Sequence, residues 1–165
     1  MKVDLKNATI KFKDGDTPTP NELEVKIGEG NLTFVERVNR TYELDKGKLD
    51  TVRNGDEVPV DVNLEFMWEW LKADTGKPPT PVDVLKQRGE ASAWVSSSSD
   101  PCEPYCVDIE VTVNPHCSDG SKNEVILLSD FRYEELNYDI KAGQVACTGK
   151  CNITEATISR VAATT

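Results

Sequence analysis

Seven apolar residues alternate without a break over Val58, Val60, Val62, Leu64, Phe66, Trp68 and Trp70, with Pro59, Asp61, Asn63, Glu65, Met67 and Glu69 between them. Successive side chains of a strand point to opposite faces, so a period of two over this length specifies β structure and disfavours a helix. An upstream run, Leu32, Phe34, Glu36, Val38, Arg40, Tyr42 and Leu44, follows the same period. Shorter alternations lie at Leu23-Val25-Ile27 and Val107-Ile109-Val111-Val113, with weaker ones at Val125-Leu127 and Ile10-Phe12. Asp14-Gly15, Asn54-Gly55 and Asp119-Gly120 supply turn chemistry, because glycine tolerates positive φ.

One short helix is expected over residues 81–88. Thr80 can cap it, Pro81 suits its first position and Gly89 follows its end, with Val82, Leu85 and the stem of Lys86 facing a core. The Ser96–Ser99 run followed by Asp100-Pro101 reads as a loop, since strand patterns continue on both sides. The 165 residues match one ordinary domain, spanning 1–165. The expected fold class is mainly β, a sandwich or barrel with one short helix and a long hairpin over about 32–70.

The two long runs, 32–44 and 58–70, are each about 43 Å at 3.3 Å per residue. A domain of this length has a radius of gyration near 15 Å. Such a ribbon must bend strongly inside an ordinary sandwich or project from the body. A projecting ribbon with one apolar face is an aggregation hazard unless neighbouring copies cover it. Closure of ribbons from several subunits into one ring-shaped barrel removes the free edges. The opposite face of 58–70 then carries Asp61, Glu65 and Glu69 towards the lumen, with Asp108 and Glu110 as further candidates.

The formal net charge is -10, from 19 Lys and Arg against 29 Asp and Glu. Residues 54–74 hold Asp56, Glu57, Asp61, Glu65, Glu69 and Asp74 against Lys72 alone, and residues 100–119 hold Asp100, Glu103, Asp108, Glu110 and Asp119 with no Lys or Arg. Tight binding of nucleic acid needs cations to meet phosphate, so this balance argues against it. Repulsion of DNA remains compatible with it. No apolar run approaches the ~20 residues that span a bilayer. The segment Met1–Gly15 lacks the apolar stretch of a secretory signal, so no membrane partner is expected.

Four stretches resemble the major tail tube proteins of tailed bacteriophages, the siphophage-like tail tube family. They are GEGNLTF (Gly28–Phe34), DKGKLDTVRNGDEVPVDVNLEFMWEW (Asp45–Trp70), DPCEPYCVDIEV (Asp100–Val111) and EELNYDIKAGQVACTGKCN (Glu134–Asn152). The resemblance implies a β-sandwich subunit with a flanking helix and a long hairpin, forming hexameric rings that stack into a hollow tube. It implies other copies, a tape-measure protein, a tail terminator and distal tail proteins as partners, and DNA that passes through without specific binding. It implies a place in the virion tail after assembly in the host cytoplasm. The loop from Asp45 to Glu57 then contacts the adjacent ring, with Lys46, Lys48 and Arg53 placed to meet a neighbour's acids and Trp68 and Trp70 as further contact candidates.

Cys102, Cys106, Cys117, Cys147 and Cys151, with His116 beside one of them, are the weak metal candidates. Cys-x3-Cys occurs twice, but residues four apart on a strand are about 13 Å apart, too far to chelate or to bridge. A Cys102–Cys117 bridge across a hairpin is geometrically easier. Buried or unbridged thiols, one or two disulfides, and a metal all stay open. No cofactor and no catalytic residue are expected: His116 has no nucleophile motif beside it, and no phosphate-binding glycine loop is present. Asp14 and Asp16 begin a calcium-like loop that Pro18-Thr19-Pro20 interrupts. The function read from these features is a structural tube subunit, not an enzyme. The alternatives are the inner tube of a contractile injection system and a monomeric β-sandwich binding module stabilised by disulfides or metal.

Overall fold

A computed structural model describes residues 5–114 and 122–162. Its strands are β1 (Ala8–Lys13), β2 (Glu22–Val25), β3 (Leu32–Val35), β4 (Arg40–Asp45), β5 (Lys48–Asn54), β6 (Val60–Met67), β7 (Val107–Val113), β8 (Lys122–Asp139), β9 (Gln144–Cys151) and β10 (Thr157–Ala162), with one helix, α1 (Pro81–Lys86). The fold is mainly β. Eight strands form an antiparallel sheet in the order β2-β1-β7-β8-β9-β6-β3, with β10 also paired to β8, and among the described residues β4 pairs only with β5. The path runs from β2 to β3 and is not closed into a barrel among the described residues.

The long strand β8 makes the sheet sandwich-like. Its first half pairs β7 on one edge and β10 on the other, while residues from Phe131 onward pair β9. Between the halves Asp130 takes φ 56° and the β7 register shifts. A bulge of this kind bends a strand and lets it pass from one layer to the next. Apolar residues of both halves enter one core: Ile10, Phe12, Val107 and Ile109 from one side, Val60, Val62, Leu64, Phe66, Val145 and Cys147 from the other.

Helix α1 closes that core with Val82, Val84 and Leu85. Its start follows the local chemistry: Thr80 accepts from the Asp83 N–H, Asp83 answers with its side chain, and Pro81 opens the first turn. The helix stops at Lys86, two residues short of the expected 88, because Gln87 turns left-handed at φ 51°.

Two expectations are corrected. The run 32–44 is not one strand: β3 ends at Val35, residues 36–39 leave the sheet, and β4 begins a separate ribbon. The run 58–70 shortens to β6, whose apolar face (Val60, Val62, Leu64 and Phe66, none above 1% exposed) packs in the chain's own core and not against neighbouring copies. The long hairpin 32–70 is therefore a composite. β3 does pair antiparallel with β6, Leu32 opposite Leu64 and Val35 opposite Asp61, but the chain between them departs as its own hairpin. Alternation reports which side a residue faces, not which strand it pairs with.

Candidate functional site

Every residue from Val35 to Glu57 is exposed. Within this segment β4 and β5 form a two-stranded arm with Arg40 opposite Asn54, Tyr42 opposite Val52, Leu44 opposite Leu49 and Asp45 opposite Lys48. Lys46 and Gly47 turn the chain with φ of 52° and 80°. Positive φ at both central residues matches the twist of a tight hairpin, and Lys46 accepts a backbone that glycine supplies more readily.

The arm has two unlike faces. One carries Glu43, which accepts a hydrogen bond from the Thr51 hydroxyl at 2.9 Å and pairs with Arg53 at 3.1 Å. The other carries Tyr42, Leu44, Leu49 and Val52, exposed by 61%, 62%, 77% and 55%. An isolated two-stranded hairpin is marginal in water, and an apolar face on one marks a contact waiting for a partner. Polar bonds hold the base: the Gly55 N–H donates to the Asn39 carbonyl at 2.7 Å, the Ala156 N–H donates to Glu36 at 2.9 Å, and Arg37 pairs with Asp61.

Lys46 and Lys48 lie at the arm's tip, while Arg53 is held by Glu43 on the arm itself. Trp70 is 76% exposed, but Trp68 is half-buried against the core and meets Tyr138 edge-on at 5.7 Å.

The acidic candidates divide into two groups. Asp61, Glu65 and Glu69 line the side of β6 and its continuation away from the core; Asp61 is shared by Arg37 and Lys150, and Glu69 meets Lys26 at 3.4 Å. Asp108 and Glu110 lie on β7, three places from β6 in the strand order. Glu110 meets Lys13 at 2.7 Å, and Lys13 also meets Glu22 at 3.2 Å. Partial burial works against the Lys13 charge, but the bonds to Glu110 and Glu22 outweigh it and raise its pKa. The structure thus brings neither group together with the other and compensates most of these acids within the chain.

Asp108 accepts from the Asp130 N–H at 3.0 Å at the β8 bend. Burial raises its pKa; that bond and the Ser97 hydroxyl work against the rise, and the Asp130 carboxylate adds to it. A folded-state pKa above the unfolded one means that ionised Asp108 opposes folding once the pH exceeds the ordinary aspartate range. Asp108→Asn keeps the acceptor oxygen and removes the charge. Its denaturant midpoint should exceed wild type at pH 7, with the gap narrowing as the pH falls towards the ordinary aspartate range; a lower midpoint at pH 7 refutes the sign.

Cys106, Cys147 and Cys151 are buried and Cys102 is exposed, all four unbridged. Cys147 and Cys151 face the core from β9, and burial pushes both thiols up to about 12, which suits packing and not reactivity. No metal-holding cluster occurs among the described residues. His116 and Cys117, and with them the Cys102–Cys117 bridge, lie outside the described residues. Asp14 is no cation ligand: its carboxylate is taken by the N–H groups of Asp16, Asn21 and Val95 and by the Asn21 amide. No described helix is long and apolar enough to cross a membrane.

No protein-family model matches the sequence, and neither does a curated protein. The fold is similar to a solved structure described as the sheath/tube terminator of an extracellular contractile injection system (PVC) in its extended state, with TM-score 0.53 and 9% identity over 96% of this chain and 97% of that one. At that identity the likeness is one of fold. A chain from the baseplate of the anti-feeding prophage (AFP) aligns with TM-score 0.41 and 12% identity over 93% of this chain and 92% of that one.

Proposed function

We propose that this chain is a structural subunit of a phage-tail-like tube, self-assembling into stacked, hexameric rings without bond chemistry. The observation that carries the reading is the β4–β5 arm, which presents four large apolar side chains to solvent on a face that nothing among the described residues covers. Burial of each such side chain against a neighbour contributes roughly 1.5–3 kcal/mol, enough in aggregate to drive assembly. The full-length fold likeness to a tube-terminating protein supports the same class of role. The sequence resemblance to tail tubes adds the tape measure, terminator and distal tail proteins as partners and the virion tail as location. In this reading DNA passes along the bore, where Glu65 is the β6 acid with no ion pair among the described residues.

A second reading takes the likeness to a sheath/tube terminator more literally: this chain would end a tube as a single ring instead of propagating it. Negative-stain electron microscopy with light scattering across a concentration series separates the two, tubes supporting the first and single rings the second. The variant Leu44→Glu with Leu49→Glu should abolish assembly at concentrations where wild type polymerises. Because both side chains are exposed, its melting temperature should stay within a few degrees of wild type. A wild type that stays monomeric throughout would count against both ring readings and favour a monomeric binding module, while assembly by that variant would show that the arm is not the assembling surface.

A further inference from the structure

Asn54 is the one asparagine in the chain that is followed by a glycine. Glycine has no Cβ to shield its own nitrogen, so the Gly55 nitrogen can reach the Asn54 side-chain carbonyl carbon and close a succinimide ring. The pair sits where β5 ends, and both residues are exposed to the water that the reaction needs. Asn63 is exposed too, but it lies inside β6 between β3 and β9 and precedes Leu64.

The fold holds this pair away from that reaction. Asn54 is the last residue of its ladder, opposite Arg40, which keeps its backbone extended. The Gly55 N–H donates to the Asn39 carbonyl at 2.7 Å. A nitrogen committed to a short bond of this kind neither gives its proton to solvent nor turns onto the side chain. A Cβ on residue 55 would lie 3.1 Å from that of Asn39, so the close approach that makes the lock calls for the same glycine that eases the reaction. The lock is only as firm as the arm, because the end pairs of a two-stranded ribbon open locally.

We propose that Asn54 is a self-modification site gated by the arm's base: each opening of the Gly55–Asn39 bond exposes it to deamidation, and the product loosens that base. In the open form the deprotonated Gly55 nitrogen attacks Asn54 Cγ. The new C–N bond displaces Nδ2, which takes up one proton from water and leaves as ammonia, and a succinimide remains. Water then opens the imide at either carbonyl, giving aspartate or isoaspartate. The succinimide nitrogen carries no hydrogen, so the Asn39 carbonyl loses its donor. Isoaspartate adds a methylene to the main chain at that point, and either product adds one negative charge to a chain of net charge -10. The site stands on the arm's geometry and does not depend on the tube reading.

The test uses the full chain, held folded at pH 8 and, in parallel, unfolded in guanidinium. Peptides from digestion in acid, where the reaction is slow, are read by mass spectrometry for conversion of amide to acid. The folded chain should convert Asn54 about tenfold or more slowly than the unfolded chain, by at least the factor by which folding protects the Gly55 amide from hydrogen exchange. It should still convert Asn54 faster than Asn63. In converted protein isolated by anion exchange, the amides of residues 41–55 should exchange faster than before. Conversion equally fast in folded and unfolded chains, or slowed less than exchange, would overturn the gating. Folded-chain conversion of Asn54 no faster than that of Asn63 would overturn the site. Unchanged exchange in the arm after conversion would overturn the effect on its base.

Discussion

Asp83→Ala is expected to lower unfolding free energy by about 3–4 kcal/mol, the range for removing one partner of a buried ionic network. Asp83 is fully buried, and its two oxygens serve three donors: Arg88 Nε at 3.1 Å, the Ala73 N–H at 2.9 Å, and more weakly the Thr80 N–H at 3.4 Å, with the Arg88 pair reinforced by charge. Thr80 and Arg88 in turn both donate to the Leu71 carbonyl, at 3.3 and 2.8 Å. One carboxylate therefore joins the capping box of α1 to the loop that leaves β6. Alanine strands two backbone donors, each costing about 1–3 kcal/mol where water cannot replace the acceptor, and removes the cap. Arg88 is 43% exposed on its side chain and can regain water, which limits the total. Urea denaturation reads the loss directly. A change below about 1 kcal/mol, the scale of a surface ion pair, would show that the loop holds without Asp83.

Phe131→Ala is expected to cost about 3–5 kcal/mol, as large-to-small changes of buried aromatics do. Phe131 is 1% exposed and sits where β7, β8 and β9 meet, opposite Val107 on one side and Cys151 on the other. Its ring also covers Gly149: a Cβ there would lie 2.7 Å from the ring and 2.1 Å from the Arg132 carbonyl oxygen. Gly149→Ala should consequently destabilise by about 1–3 kcal/mol through overpacking. The double variant should cost less than the two singles added, since removal of the ring relieves one of the clashes, while the backbone contact keeps the compensation partial. Strict additivity in chemical denaturation would mean that ring and glycine do not share that space.

The same residues explain why part of the fold could be read in advance and part could not. β1, β2, β6 and β7 bury alternate residues on one side of a strand, and their apolar spacing shows it. β8 hides its pattern because its phase slips: Leu128 is buried, then Phe131 after the Asp130 bend, and a second register shift follows between Tyr133 and Glu135. β9 alternates Val145, Cys147 and Cys151 around Gly149, but the cysteines suggested chemistry where burial makes them core. β10 is exposed throughout, so no burial period marks it. The arm's turn falls at Lys46-Gly47 and not at the more recognisable Asn54-Gly55, which instead closes the arm's base.

The sequence by itself determined what is local, the period of two that demands strands and the Thr80-Pro81 start of the helix, together with the net charge of -10. Tertiary structure alone decided which strands meet. Leu32 to Leu44 keeps one period of two apart from Glu36 and Arg40, yet Phe34 packs towards the core beside β6 while Tyr42 and Leu44 stand in solvent. A side chain's facing depends on its own backbone. What covers that face depends on chain segments tens of residues away, and for the arm the described residues supply no cover.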